Sequence, residues 1–426
     1  MKINQNQLAK VNGVIEKQHQ QAYSFVARQL QDVGVDVPHV LDCLRSFQVA
    51  IPSWALGAGG TRFGRFSIAG EPASLEQKID DVGLIHQLTQ TAGAISLHIP
   101  WDIPDDYEAI KQQAAELHLK FDAVNSNTFQ DQPNAKESYK FGSLSNVSEH
   151  VRQQAIQHNL DVIQIGNKLG SKSLTVWLAD GSCFPGQANF QTALQNTEDS
   201  LKQIYKQLPA DWGMLIEYKP YEPNFYSTVI QDWGTSLMLA NACGDQAYTL
   251  VDLGHHLPNT NIEQIVSTLL LKGKLGGFHF NDSKYGDDDL TVGSVKPYAL
   301  FLIFNELVYG MQNNKNNPDL AWMIDASHNV KDPLEDLIQS LEAIQEAYVK
   351  ALLVDQKALK KAQIDQDVVL CQEILHQAYR TDVRPLLAQA RIESGGALRP
   401  IDAYRKLNVR NELIKLRGKN TVATGL

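Results

Sequence analysis

The chain has 426 residues, of which 43% are hydrophobic and 20% are charged, as in globular proteins that bury a substantial core. Its formal net charge of −10 disfavours binding to nucleic acid or to an anionic membrane. No apolar run has the length of a membrane span, and the polar N-terminus does not resemble a signal peptide. The cysteines show no metal-binding or disulfide spacing, so we expect a reduced, cytoplasmic protein with neither nucleic acid nor a membrane as a partner.

Strand-like and helix-like patterns alternate from about residue 47 onwards. Short apolar segments with the length of buried strands cover residues 48–54, 94–101, 121–124, 173–178, 213–218, 248–253, 276–280 and 320–324. Helix start signals lie between several of them, such as Ser74, Asn261 and Asp332. We therefore predict a (β/α)8 barrel over 47–354, an N-terminal helical segment over 1–46 and a mainly helical extension over 355–426. The extension is expected to become irregular from residue 388 and to pack on the barrel or on a neighbouring subunit.

A doubly wound open sheet could also contain eight strands. Such a sheet concentrates its ligands at the point where the strand order reverses. In this sequence the polar candidates instead follow the fifth, sixth, seventh and eighth strands in turn. Because the carboxyl ends of all barrel strands meet around one site, this distribution favours the barrel.

Four of the strand-like segments end in a carboxylate or an imidazole where the apolar run breaks, at Glu217, Asp252, His279 and Asp325. One acidic residue at a strand end is usually a turn former or a helix cap. Four at matching positions indicate one shared centre, because buried charges need a partner or a metal. Oxygen ligands with imidazole suit Mn²⁺, Mg²⁺ or Co²⁺, and the absence of cysteine from the set argues against a structural zinc.

Further polar residues lie close to this set in the sequence. Glu217 and Lys219 are two residues apart on a strand and share a face, where they suit carbonyl chemistry, although an ordinary ion pair would have the same spacing. Asp287 and Asp289 alternate in an acidic loop that could hold a second cation or could simply be solvated. His255 and the histidine after it both end the sixth strand, and spacing alone does not decide which of them faces the site.

Aromatic and imidazole side chains follow the first, second and fourth strands, at Trp54, His98, Trp101 and Trp177. Each tryptophan alone is more often a core residue, but flat faces beside polar groups are how proteins hold sugar rings. The glycine-rich run over residues 57–64 is typical of a mobile active-site loop. It lacks the Lys-Ser/Thr of a phosphate-binding loop, so we predict no nucleotide site.

The chain as a whole resembles one enzyme family. The motifs are E-Y-K-P, V-D-L-G-H-H, H-F-N-D-S-K-Y-G-D-D-D and I-D-x-S-H-N. They resemble the signatures of the L-rhamnose isomerases of the broad-specificity bacterial type, within the xylose-isomerase-like TIM-barrel superfamily. The resemblance extends from P-S-W at residues 52–54 and G-T-R-F at 60–63 to R-P-I-D-A-Y-R at 399–405, and so covers nearly the whole chain.

The resemblance implies two metal sites and a sugar pocket. The structural ion would be held by Glu217, Asp252, His279 and Asp325. The catalytic ion would be held by Glu217 as a bridge and by His255, Asp287 and Asp289. The catalytic side chains would be Lys219 near the reacting carbons, His98 at the ring oxygen, and Asp325. The substrate-binding residues would be Trp54, Phe63, His98, Trp101, Trp177, Glu217, Lys219 and His255.

The implied activity is a metal-dependent aldose–ketose isomerase that interconverts L-rhamnose and L-rhamnulose, with L-mannose, L-lyxose or D-allose/D-psicose as further substrates. Mn²⁺ is the expected ion, two per subunit, with Co²⁺, Mg²⁺ or Zn²⁺ as alternatives, and a homotetramer is the expected assembly. With both ions bound, every Glu, Asp and His of the motif set except His98 would be a metal ligand, so no side-chain base would remain for the C–H proton. We therefore predict a metal-mediated hydride shift. Proton transfer through an enediol is the alternative.

Three other functions are alternatives for this sequence. A ketose 3-epimerase on a related barrel would use two carboxylates around one ion, without needing Asp287 and Asp289. A metal-dependent endonuclease is disfavoured by the net charge of −10 and by the lack of a basic stripe. A non-catalytic sugar-binding protein would have no use for paired metal sites.

Overall fold

Parallel strands close into a barrel that helices enclose. A computed structural model of the chain describes residues 2–57, 67–222, 225–326 and 330–419. Among these residues, eight strands pair in chain order, and β1 also pairs with β8 through Ala50 and Met323. The strands are β1 (Ala50–Pro52), β2 (Ala94–Ile99), β3 (Lys120–Ser126), β4 (Ser173–Val176), β5 (Gly213–Glu217), β6 (Ala247–Asp252), β7 (Leu275–Phe280) and β8 (Ala321–Ile324). The predicted (β/α)8 barrel is confirmed.

Eight helices follow the eight strands in the described part of the chain. They are α4 (Leu75–Thr89), α5 (Tyr107–Glu116), α6 (Glu149–Leu169), α7 (Phe190–Tyr205), α8 (Trp233–Cys243), α9 (Ile262–Leu271), α10 (Pro297–Asn313) and α11 (Pro333–Leu352). The predicted start signals act as N-caps: Ser74, Asn261 and Asp332 each accept a backbone N–H from the first turn of the helix that follows. No helix among the described residues is both long enough and apolar enough to cross a membrane.

Side-chain alternation along the strands places the polar strand ends inside the barrel. Leu215 on β5 and Leu250 on β6 pack with Ala123 in a small apolar layer of the barrel interior. Glu217 and Asp252 are two residues further along the same strands, so they point to the same side, above that layer. The larger core lies outside the strands, between barrel and helices. The barrel therefore has an apolar floor and a polar upper end.

The N-terminal segment and the extension pack together on the barrel helices. The segment consists of α1 (Gln5–Gly13), α2 (Glu16–Asp32) and α3 (Val37–Ser46), and the extension of α12 (Gln356–Ile364), α13 (Val368–Arg380), α14 (Arg384–Glu393), α15 (Pro400–Lys406) and α16 (Val409–Arg417). Leu386 and Leu387 of α14 share a buried cluster with Leu41 and Leu44 of α3 and with Val349 of α11. The division of the chain at residues 46/47 and 354/355 stays a prediction.

The expectation that the extension becomes irregular from residue 388 is wrong. Residues up to Arg417 are mostly helical, and the glycines and prolines that suggested irregularity lie at helix boundaries. Gly395, with φ of +87°, follows α14, and Pro400 stands at the start of α15. The arginines make ion pairs with the barrel, because Arg410 binds Asp332 and Arg417 binds the buried Asp81.

Candidate metal centre and active site

Four side chains from the last four strands converge at the upper end of the barrel. One ligand atom from each of Glu217, Asp252, His279 and Asp325 lies within 4.8 Å of the others. His279 Nδ1 is 3.2 Å from a Glu217 oxygen, 3.7 Å from Asp252 Oδ2 and 3.6 Å from Asp325 Oδ2. Because β6 and β7 pair with Asp252 opposite His279, the sheet register itself brings two of the four together. The structure thus assembles the first predicted ligand set.

The donor atoms of this cluster fit a divalent cation. Asp252 Oδ1 accepts hydrogen bonds from the Gly254 backbone N–H at 2.6 Å and from Asn281 Nδ2 at 2.9 Å. Its other oxygen, Oδ2, is buried and has no hydrogen-bond partner among the described residues. An unpaired carboxylate oxygen in the interior is costly unless a cation binds it. Three carboxylates and one imidazole are ligands that Mn²⁺, Mg²⁺ and Co²⁺ accept.

The pKa values show how much negative charge meets at the cluster. Burial alone would raise the pKa of Glu217, but the charges and hydrogen bonds of His279 and His255 outweigh it and hold that pKa at about 2. Burial would likewise lower the pKa of His279, yet the Glu217, Asp325 and Asp252 carboxylates raise it to about 9. Burial, with Asp252 and Glu217 nearby, raises the pKa of Asp325 to about 7. A divalent cation at this point would neutralise that charge.

A second group adjoins the first through Glu217. His255 Nδ1 is 3.3 Å from Glu217 Oε1, and His255 Nε2 is 3.1 Å from Asp287 Oδ1. Lys219 is buried and forms ion pairs with Asp287 and, at 2.8 Å, with Glu222. Sequence reasoning missed Glu222, which follows β5 in a loop. The structure therefore brings Lys219, His255 and Asp287 to one place. They lie beside the cluster of Glu217, Asp252, His279 and Asp325, which we call the metal-ligand cluster.

The structure also answers which of the two adjacent histidines faces the site. His255 points towards Glu217, whereas His256 Nε2 lies 2.6 Å from the hydroxyl of Tyr218, in the core between the barrel and the helices. Burial, together with the charge of His255, lowers the pKa of His256 to about 4. His256 is thus a neutral packing residue, while His255 belongs to the polar centre.

The three aspartates of the acidic loop after β7 have two different roles. Asp287 and Asp289 both have left-handed backbones, with φ of 54° and 49°. Between them, Asp288 accepts hydrogen bonds from the backbone N–H groups of three loop residues, at 2.7 to 2.9 Å. Burial raises the pKa of Asp289, and the charges of Asp287 and Asp325 add to it. Asp288 therefore stabilises the backbone of the loop, whereas Asp287 and Asp289 interact electrostatically with the charged groups of the site.

Aromatic rings line the side of the site formed by the first four strands. His98 stacks on Trp101 with centroids 4.1 Å apart, and its edge meets Trp54 at 5.4 Å. Phe129, which sequence reasoning missed, joins His98 to Trp177 with centroid distances of 5.6 and 4.8 Å. These residues form the aromatic wall. Phe63, the remaining predicted pocket residue, lies outside the described residues.

Two contacts connect the aromatic wall with the charged centre. Trp54 Nε1 donates a hydrogen bond to Asp325 Oδ1 at 3.1 Å. Lys219 Nζ lies over the Trp177 ring at 5.4 Å from its centroid, within reach of a cation–π interaction. Burial lowers the pKa of His98 to about 3, and the charges of His158 and Lys78 act in the same direction. The wall thus presents apolar faces and one neutral imidazole to the same space as the charged groups.

Comparison with known proteins identifies the family. A scan against protein-family models finds no match for this chain. A probable sugar isomerase of Mesorhizobium japonicum is 51% identical over 403 residues, which span 95% of this chain and 94% of that protein. A probable sugar isomerase of Rhizobium meliloti is 52% identical over 383 residues, or 90% of this chain and 89% of that protein.

Among solved structures, the apo form of 3-keto-D-glucoside 4-epimerase from E. coli shares the fold. Its TM-score is 0.52 at 12% sequence identity, over 70% of this chain and 99% of that one. With half of its residues identical to the two relatives over nearly its full length, the chain belongs to their family of probable sugar isomerases.

Proposed function

We propose that this sugar isomerase interconverts L-rhamnose and L-rhamnulose, and that it also acts on L-mannose, L-lyxose and D-allose. The observation that carries the proposal is the metal-ligand cluster with Lys219 beside it, in the same space as the aromatic wall. An aldose–ketose isomerase needs groups that polarise a carbonyl and a surface that holds the sugar. The motif resemblance to L-rhamnose isomerases supports this substrate.

The proposed cofactor is a pair of divalent ions, with Mn²⁺ as the first candidate. One ion would be held by Glu217, Asp252, His279 and Asp325, and the other by Glu217, His255, Asp287 and Asp289. When bound, such ions polarise the carbonyl and orient the hydroxyl groups of an open-chain sugar. Asp252 Oδ2, which is buried and accepts no hydrogen bond from any residue that the structure describes, is the observation that supports the first ion.

The chain's own residues would bind and orient the substrate. Lys219 forms ion pairs with two carboxylates, and the third N–H of its ammonium group could donate a hydrogen bond to the oxygen at C1 or C2. His98, with its pKa lowered to about 3, is a neutral imidazole that can exchange hydrogen bonds with the ring oxygen during opening. Trp54, Trp101 and Trp177 would cover the apolar C–H faces of the sugar.

The proposed hydrogen transfer is a hydride shift. The hydrogen on C2 moves to C1 with its electron pair, the O2 proton leaves, and O1 gains a proton, so the aldose becomes the ketose. No side-chain base is required at C2. In the described part of the site, the carboxylates are assigned to the ions or, for Glu222, to Lys219. Isomerisation of C2-deuterated L-rhamnose in ordinary water should leave the deuterium on C1, whereas extensive washout would indicate an enediol.

Metal removal tests the function directly. The protein is stripped with a chelator and titrated with Mn²⁺ while the formation of the corresponding ketose is measured for L-rhamnose and for a panel of other aldoses. We expect activity to disappear and then to return in proportion to the bound ion. Full activity in the stripped protein would contradict the proposal. We also expect a homotetramer in the cytoplasm, and a monomer in sedimentation at micromolar concentration would contradict that assembly.

A ketose 3-epimerase is the second candidate, since the four-residue cluster alone would hold the single ion that such an enzyme needs. The products distinguish the two reactions. An isomerase converts an aldose into a ketose, whereas an epimerase leaves the aldose unchanged and converts one ketose into its C3 epimer.

A further inference from the structure

Asp102 joins three elements at one point beside the aromatic wall. It is almost completely buried, with 1% of its surface exposed. Its Oδ1 accepts a hydrogen bond from Lys78 Nζ at 2.6 Å, and its Oδ2 accepts from Ser53 Oγ at 2.5 Å and from the His98 backbone N–H at 2.8 Å. Its own N–H donates to the His98 carbonyl at 3.0 Å. The ends of β1 and β2 and the helix α4 therefore meet at one carboxylate.

Three of the four hydrogen bonds of Asp102, all but the one from Lys78, are made next to a ring of the wall. Ser53 immediately precedes Trp54, and Trp101 immediately precedes Asp102 within the turn that starts at His98. The contact to His98 is with its backbone and not with its ring, whose Nδ1 has no hydrogen-bond partner in the described part of the chain. Asp102 is therefore bonded to the backbone and to the residues beside these rings, and not to the imidazole ring itself.

The buried ion pair of Lys78 and Asp102 indicates a role in positioning neighbouring residues rather than a gain in stability. The Lys78 and Asp102 side chains are 11% and 1% exposed, so both groups lose most of their hydration. The attraction within a buried ion pair often does little more than repay that loss, and apolar residues of similar volume would serve stability as well. A fixed acceptor for hydrogen bonds from two strand ends, however, cannot be replaced by an apolar side chain.

We propose that Asp102 is a positioning residue that sets the spacing between Trp54 and the stacked His98–Trp101 pair. Through that spacing it determines how tightly the wall holds the sugar, and this part rests on the proposed function. A displacement of about 1 Å at such a wall is enough to change binding and turnover measurably. The spacing itself can be measured without turnover.

The test compares Asp102→Asn with a matched control on α4, the helix that carries Lys78. Asp81 is fully buried on α4 and binds Arg417 through two contacts of 2.7 and 2.8 Å. Asp81→Asn therefore also breaks a buried ion pair, but one made with the C-terminal helix. Ser53→Ala is the milder variant, because it removes a single hydrogen bond from Asp102.

The first readout is independent of activity. Protein labelled with 5-fluorotryptophan has six indoles to observe by ¹⁹F NMR, in the presence of Mg²⁺, which does not broaden the lines as Mn²⁺ would. Trp54→Phe and Trp101→Phe variants assign the two relevant resonances. We expect Asp102→Asn to shift both while leaving that of the buried Trp212 in place, and Asp81→Asn to shift neither.

The second readout is the division between KM and kcat. We expect Asp102→Asn to raise KM for L-rhamnose about tenfold, equivalent to about 1.4 kcal/mol, with kcat changed much less. If both variants lose stability alike and leave the two resonances and KM unchanged, Asp102 is only structural and the inference is wrong. If Asp102→Asn does not fold, Ser53→Ala must show the same pattern at smaller amplitude, and an unchanged Ser53→Ala would overturn the inference. A wild-type protein that converts no aldose would overturn the proposed function instead, and the ¹⁹F shifts would still decide the spacing.

Discussion

The two halves of the barrel end in different chemistry. The described strand exits of the first half carry rings, at Trp54, His98, Trp101, Phe129 and Trp177. Those of the second half carry ionisable groups, at Glu217, Lys219, Asp252, His255, His279, Asp287 and Asp325. Both sets face one space at the carboxyl ends of the strands, where barrel enzymes bind their ligands.

Two histidines show how strong the difference is. His98 and His279 are both buried, yet the pKa of His98 is lowered to about 3 and that of His279 is raised to about 9. Burial opposes the charged form in both cases, and only His279 has carboxylates that outweigh it. The first half thus keeps its histidine neutral, and the second half concentrates carboxylates around its own. A sugar has the same division, with apolar C–H faces and reactive oxygens, so the site can orient it by chemistry alone.

The largest effect should come from removing charge at the junction of the two proposed ion sites. Glu217→Gln keeps the shape of the side chain but removes the negative ligand that both ions would share. We expect kcat to fall about 10³-fold, because several kcal/mol of charge stabilisation are lost. Calorimetric titration with Mn²⁺ should show fewer bound ions than in the wild type.

Asp81→Asn is the control for Glu217→Gln, because it removes a buried carboxylate of α4 that binds Arg417 and is not a proposed metal ligand. It should retain Mn²⁺ binding and kcat even if the protein becomes less stable. Unchanged kcat and Mn²⁺ stoichiometry in Glu217→Gln would mean that the charged half is not the reactive half.

The adjacent histidines provide the next test. His255 contacts Glu217 and Asp287, whereas His256 bonds Tyr218 on the outer side of the strand. We expect His255→Asn to reduce kcat/KM about 10²-fold, as loss of a metal ligand or its close support does. His256→Asn should lower the free energy of unfolding by about 1 kcal/mol through the lost hydrogen bond and leave kcat nearly unchanged. Equal losses of activity in both variants would contradict the assignment.

The sequence predicted the parts of the molecule that depend on short-range periodicity. The eight strands follow from apolar segments of strand length. Three of the four candidate ligands, Glu217, Asp252 and His279, stand within a strand, where alternation fixes the face, and Asp325 directly follows β8. The first strand ends at Pro52 rather than Trp54, because the chain turns into a 3₁₀ helix over Ser53–Ala55. A periodic pattern cannot show where such a turn replaces the last strand residues.

The residues that the sequence did not reveal lie in loops. Phe129, Glu222, Asp288 and Asp102 all come after the end of a strand, where no alternation fixes a direction. Their roles depend on hydrogen bonds and contacts with distant segments, such as that from Asp102 to Lys78 on α4. The choice between His255 and His256 fails for the same reason, because the strand ends at Asp252.

The pH dependence of stability should distinguish the two halves in metal-free protein. In the folded chain the pKa of Asp325 is raised from 3.8 to about 7 and that of His279 from 6.5 to about 9. Both groups bind protons more tightly when folded, so their contribution to stability is lost as pH rises through these values. With a chelator present, the urea midpoint should fall from about pH 7 to pH 9, whereas below about pH 6.5 the lowered pKa values of His98 and His256 act in the opposite direction.

Two comparisons check the source of this slope. Asp325→Asn should make stability increase more with pH below pH 7 and leave the decline between pH 7 and 9, since His279 still titrates there. With Mn²⁺ present the trend should weaken or reverse, because the ion competes with protons for the same ligands. A chelated wild-type protein whose stability rises with pH over this range would contradict the charge concentration in the second half.

The smallest effect concerns the hydrogen bond that crosses between the halves. Trp54→Phe keeps an aromatic face in the wall but removes the Nε1–H that Asp325 Oδ1 accepts at 3.1 Å. A hydrogen bond to a charged group contributes about 1.5–3 kcal/mol. A metal-binding side chain that loses a hydrogen bond from a neighbouring residue holds its ion less tightly. We expect Mn²⁺ affinity to fall about fivefold, with a smaller change in KM for the sugar. Trp101→Phe is the matched variant, since Trp101 stacks on His98 instead, and it should change KM for the sugar without changing Mn²⁺ affinity. If the two variants have the same effect on both constants, the halves are not separable and the aromatic wall takes part in holding the ions.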